Sequence, residues 1–270
     1  MKLTKSILTI LALTYVFVSF SQTNDNSNVL DALITDRPDA TESPNTVAKG
    51  FLQIETGGFF EGSEDGLFDI DTYVLNTTLV RLGLLDNLEL RVGWDFIEQR
   101  TSFNGVEIPD ILSGYTPLLL GVKVGITEEK GILPQIGLIG HIFLPFTAGR
   151  DFRPETTGAN FLFAFAHTLN EKSSLSYNLG GEILDGNAEF AYVYSISYGY
   201  SFTDRLGGYA ELYGDFPEDS SANHLWDAGL TYLISDNVQL DATVGSGITD
   251  GQDILLSAGV SFRIPVKKQK

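Results

Sequence analysis

The sequence predicts an all-β fold, a closed antiparallel transmembrane β-barrel of about twelve strands in meander order, with both termini periplasmic. Three observations predict it: apolar and polar residues alternate with period two, the alternating runs are long, and short turns alternate with longer loops. The period is clear in NVQLDATVGSGI (237–248), where Gln239, Asp241 and Thr243 share one face and the apolar residues share the other.

Twelve runs of this kind follow one another along the chain. They lie near 50–61, 67–83, 88–100, 115–127, 132–146, 157–169, 173–185, 188–202, 205–216, 222–235, 237–249 and 252–264. Most exceed the length of about five or six residues that is usual in soluble sheets. They suit a tilted strand that crosses a bilayer, which needs about 9–11 residues.

The connections between these runs alternate in kind. Short turns lie at 85–87, 128–131, 170–172, 203–205 and 235–237, and longer acidic loops at 62–66, 101–114, 147–156 and 217–221, with tight turns at 185–187 and 250–251. This alternation with an even strand count is typical of outer-membrane barrels. Because lipid does not tolerate unpaired sheet edges, the sheet is expected to close.

A soluble β-sandwich or lipocalin-like barrel is the alternative, and the composition of the two faces argues against it. The polar face is rich in Gly and Ser and thinly charged, while the apolar face carries many aromatics. Several aromatics lie near strand ends, as do Tyr200, Phe202, Tyr232 and Phe262. Such girdles mark membrane interfaces, so the apolar face is predicted to point outward and the polar face into the lumen.

The first residues are typical of a secretory signal peptide. Lys2 and Lys5 precede an apolar run over 7–20, and the small residues Ser19 and Ser21 suit cleavage after Ser21. An uncleaved anchor is the alternative, although the run is shorter than the roughly 20 residues of a spanning helix. The predicted organisation is a signal peptide (1–21), an N-terminal periplasmic or lumen segment (22–49), the barrel (50–264) and a C-terminal tail (265–270), exported to the outer membrane.

Charge and cysteine content exclude some functions. The chain has 270 residues, a net charge of −18 and no cysteine. Removal of 1–21 takes two Lys and no acid, which leaves 15 basic and 35 acidic residues, a net charge of −20. Binding to nucleic acid needs clustered basic residues and is excluded. The expected partners are the lipid bilayer of the outer membrane and a small-molecule solute, and the oligomeric state stays open.

The segment ITDRPDATESPN (34–45) precedes the first strand and is dense in charge and proline. TDRPDATESPNTVAKGFLQIETG resembles the opening motif of the outer-membrane transporter family named for the MetA pathway of phenol degradation. The closing stretch LWDAGLTYLISDNVQLDATVGSGITDGQDILLSAGVSFRI resembles that family too, and Phe146 interrupts a family-like strand end in FLPFTAG. The resemblance implies a barrel that passes small hydrophobic or aromatic compounds, with no catalytic residues.

The strand directions place the lumen charges in two zones. A basic ring near the periplasmic mouth is predicted from Arg81, Arg91, Arg205 and Arg263. Acids are predicted on the lumen face, mostly higher in the lumen or at its outer rim: Asp69, Asp71, Glu89, Asp95, Glu182, Glu211, Asp215, Asp227, Asp241 and Asp253. These charges either filter ions or pair with one another and close the lumen.

The acidic segment is expected to dock in the lower lumen. Pro38 and Pro44 hold the preceding residues extended, which makes the segment stiff. Three acids, Asp36, Asp39 and Glu42, would bind the arginine ring, and Arg37 would bind Glu89 or Asp241. A solvated spacer is the alternative.

Other chemistry has weaker support in the sequence. His141, His167 and His224 lie on different strands without metal-ligand spacing, and no cofactor motif is present, so no cofactor is expected. Several glycines on the lumen face, among them Gly57 and Gly137, would leave room inside. The favoured function is a channel for small compounds. The alternatives are a closed barrel with a structural, adhesive or partner-binding role, and, more distantly, a lipid-modifying enzyme that uses His167.

Overall fold

The computed structural model describes residues 30–183, 189–249 and 251–266. The expected signal peptide, the turn at 185–187 and residues 267–270 of the expected tail lie outside these ranges. The chain divides into two compact units, Met1–Asp31 and Ala32–Lys270. Only residues 30 and 31 of the first unit are described, and every described strand belongs to the second.

The described residues form fourteen strands and two 3₁₀ turns. The strands are β1 (Phe51–Asp65), β2 (Phe68–Leu85), β3 (Leu88–Phe103), β4 (Val106–Glu107), β5 (Leu112–Tyr115), β6 (Leu118–Thr127), β7 (Gln135–Leu144), β8 (Gly158–Asn170), β9 (Ser173–Ile183), β10 (Phe190–Ser201), β11 (Leu206–Pro217), β12 (Asn223–Ser235), β13 (Val238–Gly247) and β14 (Ile254–Pro265). The 3₁₀ turns, Pro145–Thr147 and Arg150–Phe152, lie between β7 and β8.

Twelve long strands close into an antiparallel barrel, which confirms the predicted fold class. Each pairs with its neighbours in chain order, and β1 pairs with both β2 and β14, so that no edge stays open. The two short strands are additional to the twelve and both pair with β3. Strand β4 pairs with the end of β3 in a hairpin, and β5 pairs with β3 beyond the part of β3 that pairs with β6. Pro117, which lacks an N–H donor, lies between β5 and β6 and interrupts this wall.

The barrel is apolar outside and polar inside, as the alternation predicts. Large apolar side chains on the outer face stay exposed; Phe163, Leu179, Ile196, Leu230 and Val244 are 40–54% exposed. The fully buried side chains inside include Gln53, Glu55, Arg81, Glu89 and Lys123. These buried polar side chains make the interior a polar core, in which the side chains must satisfy their own hydrogen bonds.

In the ranges 30–183, 189–249 and 251–266, no helix is long and apolar enough to cross a membrane.

A β-bulge overturns the predicted orientation of the upper half of β2. The β2–β3 register shifts between Val74 and Asn76, so Val74 turns inward at 2% exposure while Leu75 is 60% exposed. A shift of one residue moves every following side chain to the other face. The predicted lumen positions of Asp69 and Asp71 are therefore wrong.

Contacts on the outer face agree with this reversal. Tyr73 lies two residues from Asp71 on the same face, and its ring centroid is 5.0 Å from that of Phe60. The Arg100 guanidinium, opposite Asp71 in the register, lies 5.9 Å from the Tyr73 centroid.

Single-cysteine labelling checks the bulge, because the chain has no cysteine of its own. We expect Leu75→Cys in the reconstituted barrel to react with a lipid-soluble maleimide and Val74→Cys to stay unlabelled, since only position 75 faces the bilayer. Labelling of position 74 with protection of position 75 would contradict the register.

Candidate functional site

The stretch 32–49, here called the strap, runs inside the barrel near the periplasmic ends of the strands. At one end, the Leu33 N–H donates to the carbonyl of Asp236 in the β12–β13 turn at 2.8 Å. At the other end, the N–H of Gly50 donates to the carbonyl of Gly83 on β2 at 2.8 Å. Between these points the strap contacts strands around the barrel, so it crosses the lumen. The Arg37–Pro38 peptide bond in the strap is cis.

Asp36 is the centre of the strap's attachment to the wall. Its Oδ2 lies 3.1 Å from Arg81 Nη1 on β2 and 3.1 Å from Arg91 Nη2 on β3. Lys123 Nζ on β6 donates to both carboxylate oxygens, at 2.8 and 2.7 Å. These four side chains are at most 3% exposed. Burial alone would raise the pKa of Asp36, but the charges of Arg81, Lys123 and Arg91 hold it well below its ordinary value.

Two acids on the wall complete this cluster and also bind the strap backbone. Glu89 on β3 accepts two hydrogen bonds from the Arg81 guanidinium, at 2.8 and 3.0 Å, and Glu55 on β1 accepts a third at 2.8 Å. Glu89 Oε2 also accepts from the N–H of Val47 at 2.8 Å, and Glu55 Oε2 from the N–H groups of Asp36 and Arg37 at 3.0 Å each. Charge compensation and strap docking thus use the same carboxylates.

Glu42 and Pro44 fix the middle of the strap. The Glu42 carboxylate binds Arg91, and the Glu42 backbone forms two hydrogen bonds with the Asn178 amide on β9, at 2.7 and 2.8 Å. Pro44 is fully buried against Gly137 on β7. A Cβ atom at Gly137 would lie 2.9 Å from Pro44 Cα, so the missing side chain makes room for the proline.

Arg37 binds β13, two strands from β1 around the wall, through Asp241, one of its two expected partners. Its Nη2 lies 3.0 Å from Asp241 Oδ1 on β13 and donates to Ser257 Oγ on β14 at 3.1 Å. The guanidinium lies over Gly57 and Gly259, where an added Cβ atom would come within 2.8 and 2.5 Å of it.

Asp39 lies among acids, and the expectation that it binds the arginine ring is wrong. After Pro38 the strap turns to the far wall, where Glu211 on β11 accepts from the N–H groups of Ala40 and Thr41 at 2.5 and 3.0 Å. Asp227 on β12 is the direct cross-strand partner of Glu211. Desolvation in the lumen, followed by the Glu211 charge, raises the pKa of Asp39 well above its ordinary value.

Two members of the predicted basic ring lie at the periplasmic ends of other strands. Arg205 is exposed in the turn between β10 and β11. Arg263, near the periplasmic end of β14, donates to Asn237 Oδ1 at 2.9 Å and lies 5.8 Å from the Phe51 ring centroid. It is the register partner of Gln53, which is buried inside the barrel, so Arg263 lies on the inward face, as the alternation predicts. A single ring formed by all four arginines stays a prediction.

The sequence reasoning missed Lys123 and Glu55, although both follow from the period. Lys123 lies between Gly121 and Gly125, which the alternation places on the lumen face, and Glu55 lies two residues before Gly57. Both side chains are fully buried. The predicted lumen acid Asp95 stays on the inward face of β3, opposite Thr77, and its backbone N–H donates to Thr116 Oγ1 at 3.1 Å.

The three histidines occupy separate places. His141 is buried over Gly121 in the lumen, and its Nδ1 lies 2.9 Å from Asn160 Oδ1. The His167 ring stacks on Tyr177 with centroids 6.0 Å apart, and His224 Nδ1 lies 2.9 Å from the Tyr194 hydroxyl. Among the described residues, no group of His, Cys, Asp or Glu side chains has a geometry that could hold a metal ion.

A polar cavity of about 440 Å³, here called the vestibule, lies between the strap and the wall from β8 to β13. Its lining includes Arg37, Asp39, Ser173, Ser197, Tyr209 and Gln239. The vestibule therefore borders the acidic side of the strap, away from the Asp36 cluster.

A family model described as "Putative MetA-pathway of phenol degradation" matches residues 35–264, which include most of the strap and nearly the whole barrel. The chain belongs to this family. The family resemblance predicted from the sequence is thereby confirmed, and the closed barrel places this member in the outer membrane. No curated protein sequence matches the chain.

Several solved structures are similar in fold to this chain. The COG4313 outer membrane channel from Pseudomonas putida F1 has a TM-score of 0.61 at 12% identity, covering 84% of this chain and 100% of that one. The translocator domain of the autotransporter NalP from Neisseria meningitidis has a TM-score of 0.50 at 9% identity and covers 96% of each chain. The NanC porin has a TM-score of 0.50 at 10% identity, covering 79% of this chain and 100% of that one. At these identities the likeness shows the fold alone.

Replacement of Asp36 by Asn should release the strap. Three buried cations would lose their shared carboxylate, and breaking a buried ion pair costs on the order of 3–5 kcal/mol. We expect limited proteolysis of the folded Asp36→Asn barrel in detergent to cut the strap much faster than in the wild type. The matched control is Glu98→Gln, which removes an exposed pair with Arg100 that contributes little because solvent screens it. Equal resistance in wild type and Asp36→Asn would contradict the central role of Asp36.

Mild acid should leave the strap docked. The pKa of Asp36 in the docked strap lies below its ordinary value of 3.8. Its contribution to docking is therefore present above that pH and is lost only as the pH falls through the lower docked value. Asp39 has a raised pKa, so its protonation favours docking as the pH falls. A spin label at Ala40→Cys should keep one spectrum from about pH 7 to about pH 4.5. Increased mobility within this window would oppose the expectation.

Proposed function

We propose that this barrel is an outer-membrane channel for small, hydrophobic or aromatic compounds, with the strap docked in its periplasmic mouth as a constriction, and that it is not an enzyme. The observation that carries the proposal is the strap itself. It crosses the lumen on buried ion pairs and leaves a vestibule of about 440 Å³ on one side. A narrow path beside a fixed strap suits small solutes.

The class of solute follows from the family and from the upper lumen. The family is described by a pathway of phenol degradation, and the barrel from Pseudomonas putida F1 is described as a channel. A Cβ atom added to Gly93 would lie 3.4 Å from Leu79 Cδ1 and 3.5 Å from Leu119 Cβ. Leu79 and Leu119 therefore lie close together over Gly93 on the lumen face. These two leucines give an apolar side to an otherwise polar lumen.

The arrangement of polar side chains supports a role without catalysis. A hydrolase would need a nucleophile with an adjacent base. The ring of His167 instead stacks on Tyr177 on the outer face, and the ring of His141 forms a hydrogen bond with Asn160. The more distant reading of a lipid-modifying enzyme therefore draws no support from its proposed histidine.

A closed barrel with a structural or partner-binding role is the second candidate. The observation in its favour is the completeness of strap docking, since the strap binds β1, β2, β3, β6, β9, β11 and β13. If the strap leaves no path, the barrel passes nothing until the strap moves.

Liposome swelling separates the two candidates. We expect slow swelling with arabinose for wild type and faster swelling for Asp36→Asn and for a variant without residues 22–49, because each widens the periplasmic mouth. A phenyl glucoside should enter faster than glucose if the leucine-lined side favours aromatic solutes. Asp69→Asn, at an outward-facing acid, serves as the control. Swelling that is absent from wild type and appears only on deletion would favour the closed barrel.

Absence of swelling in every variant would sink the channel proposal. Folding is checked in parallel by heat-modifiable gel migration, so that a barrel that has failed to insert is not counted as a closed one.

A further inference from the structure

The wall of the vestibule opposite the strap is rich in hydroxyl groups. Strands β8, β9, β10 and β12 contribute serines and threonines to the lining: Thr168, Ser174, Ser176, Ser197, Ser201 and Thr231. Of these residues, Thr168, Ser174 and Ser201 are exposed, so a solute in the vestibule can reach their side chains. Because a hydroxyl group both donates and accepts hydrogen bonds, this wall can bind the hydroxyl groups of a solute.

Two glycines in the same wall make room for these hydroxyl groups. Gly199 on β10 is the register partner of Ser174, and Gly207 on β11 is the register partner of Thr231. A Cβ atom added to either glycine would lie 2.8 Å from the hydroxyl oxygen of its partner. The missing side chains therefore let the two hydroxyl groups lie over the wall and keep the vestibule wide beside the strap.

Tyr209 adds an aromatic surface to this polar wall. Its ring lies over Gly229 on β12, where an added Cβ atom would contact Tyr209 Cε1 and lie 2.9 Å from Tyr209 Cζ. The hydroxyl group of Tyr209 lies 2.8 Å from Thr243 Oγ1 on β13, and this hydrogen bond fixes the ring against the wall. The vestibule thus combines one flat apolar surface with hydroxyl groups beside it.

The ionisable residues that line the vestibule offer little net charge to a solute. Arg37 is paired with Asp241 at 3.0 Å, and Glu171 and Lys172 are adjacent residues of opposite sign. Desolvation, followed by the Glu211 charge, raises the pKa of Asp39 and so favours its uncharged form. An ion that entered the vestibule would give up hydration without gaining a free counter-charge, which is costly.

We propose that the vestibule is a binding site for small, uncharged, polyhydroxylated rings, of the size and chemistry of a monosaccharide or a cyclitol. The apolar C–H face of such a ring packs on Tyr209, while its hydroxyl groups exchange hydrogen bonds with Ser174 and Thr231. The cavity of about 440 Å³ lies within the range of about 300–1,000 Å³ that is usual for small-molecule sites. The inference adds a solute class to the proposed channel and rests on that function for passage, although binding itself does not.

Saturation-transfer NMR on the folded barrel in lipid nanodiscs tests the inference. Glucose and myo-inositol should both receive saturation from the wild type, and the anion gluconate and the cation N-methylglucamine should receive much less. Thr231→Val removes a hydroxyl group at nearly constant shape, and Tyr209→Leu removes the ring. Each variant should raise the Kd for glucose at least about threefold, the scale of one lost hydrogen bond. The matched control is Thr77→Val, the same change on β2 outside the vestibule, which should keep the wild-type Kd.

The outcomes separate this inference from the channel proposal. No saturation of either ring by wild type, or an unchanged Kd in both test variants, would overturn the inference and leave the channel to the swelling assay. Gluconate binding as tight as glucose binding would overturn the preference for uncharged rings. Glucose binding by a barrel that swells no liposome would keep the site and overturn the channel. Weaker binding in the test variants but not in Thr77→Val would support the vestibule as the site.

Discussion

The rest of the structure depends on one buried carboxylate held by three cations. Arg81, Arg91 and Lys123 project from β2, β3 and β6 into the lumen, where the strap and the wall bury them and like charges at short range repel strongly. Asp36 contacts all three, and Glu55 and Glu89 accept further hydrogen bonds from Arg81. The wall cations and the strap thus stabilise each other, and the position of the strap decides the size of the vestibule and the side on which it lies.

Most of the fold could be predicted, because apolar and polar residues alternate with period two along the sequence. Alternation and turn spacing were enough to give twelve wall strands, their order and their faces. The bulge at Val74 was not predictable, since nothing in the local sequence distinguishes a bulged strand from a continuous one, and one inserted residue reversed the faces of Asp69 and Asp71. The two short strands on β3 arise from a proline interruption and from pairing beyond the bilayer, which periodicity does not describe.

The site was predictable where the inward face of a strand is enough to decide which side chains contact the strap. Placing Asp36 and Glu42 opposite inward arginines needed only the strand directions and the position of the segment before β1. The prediction for Asp39 was wrong because the partner of Asp39 depends on the turn after Pro38. This turn places Asp36 and Asp39 against opposite walls of the barrel. For Arg205 the predicted face did not fix the depth, since the residue is exposed in the turn between β10 and β11. For Lys123 and Glu55 the alternation does predict the lumen face, but their role in the ion pairs of the strap was not predicted.

The division of contacts between early and late strands has a consequence for assembly. The ion pairs of Asp36 with the described strands involve β2, β3 and β6, which are the second, third and fourth wall strands along the chain. Pairing of β1 with β14 completes the cylinder and requires the last strand. The strap can therefore settle on a half-built, still open sheet and neutralise its lysine and arginines before the seam forms. The remaining strands, which carry Glu211 and Asp241, then wrap around a segment already in place, so no charged chain has to be threaded into a finished cylinder.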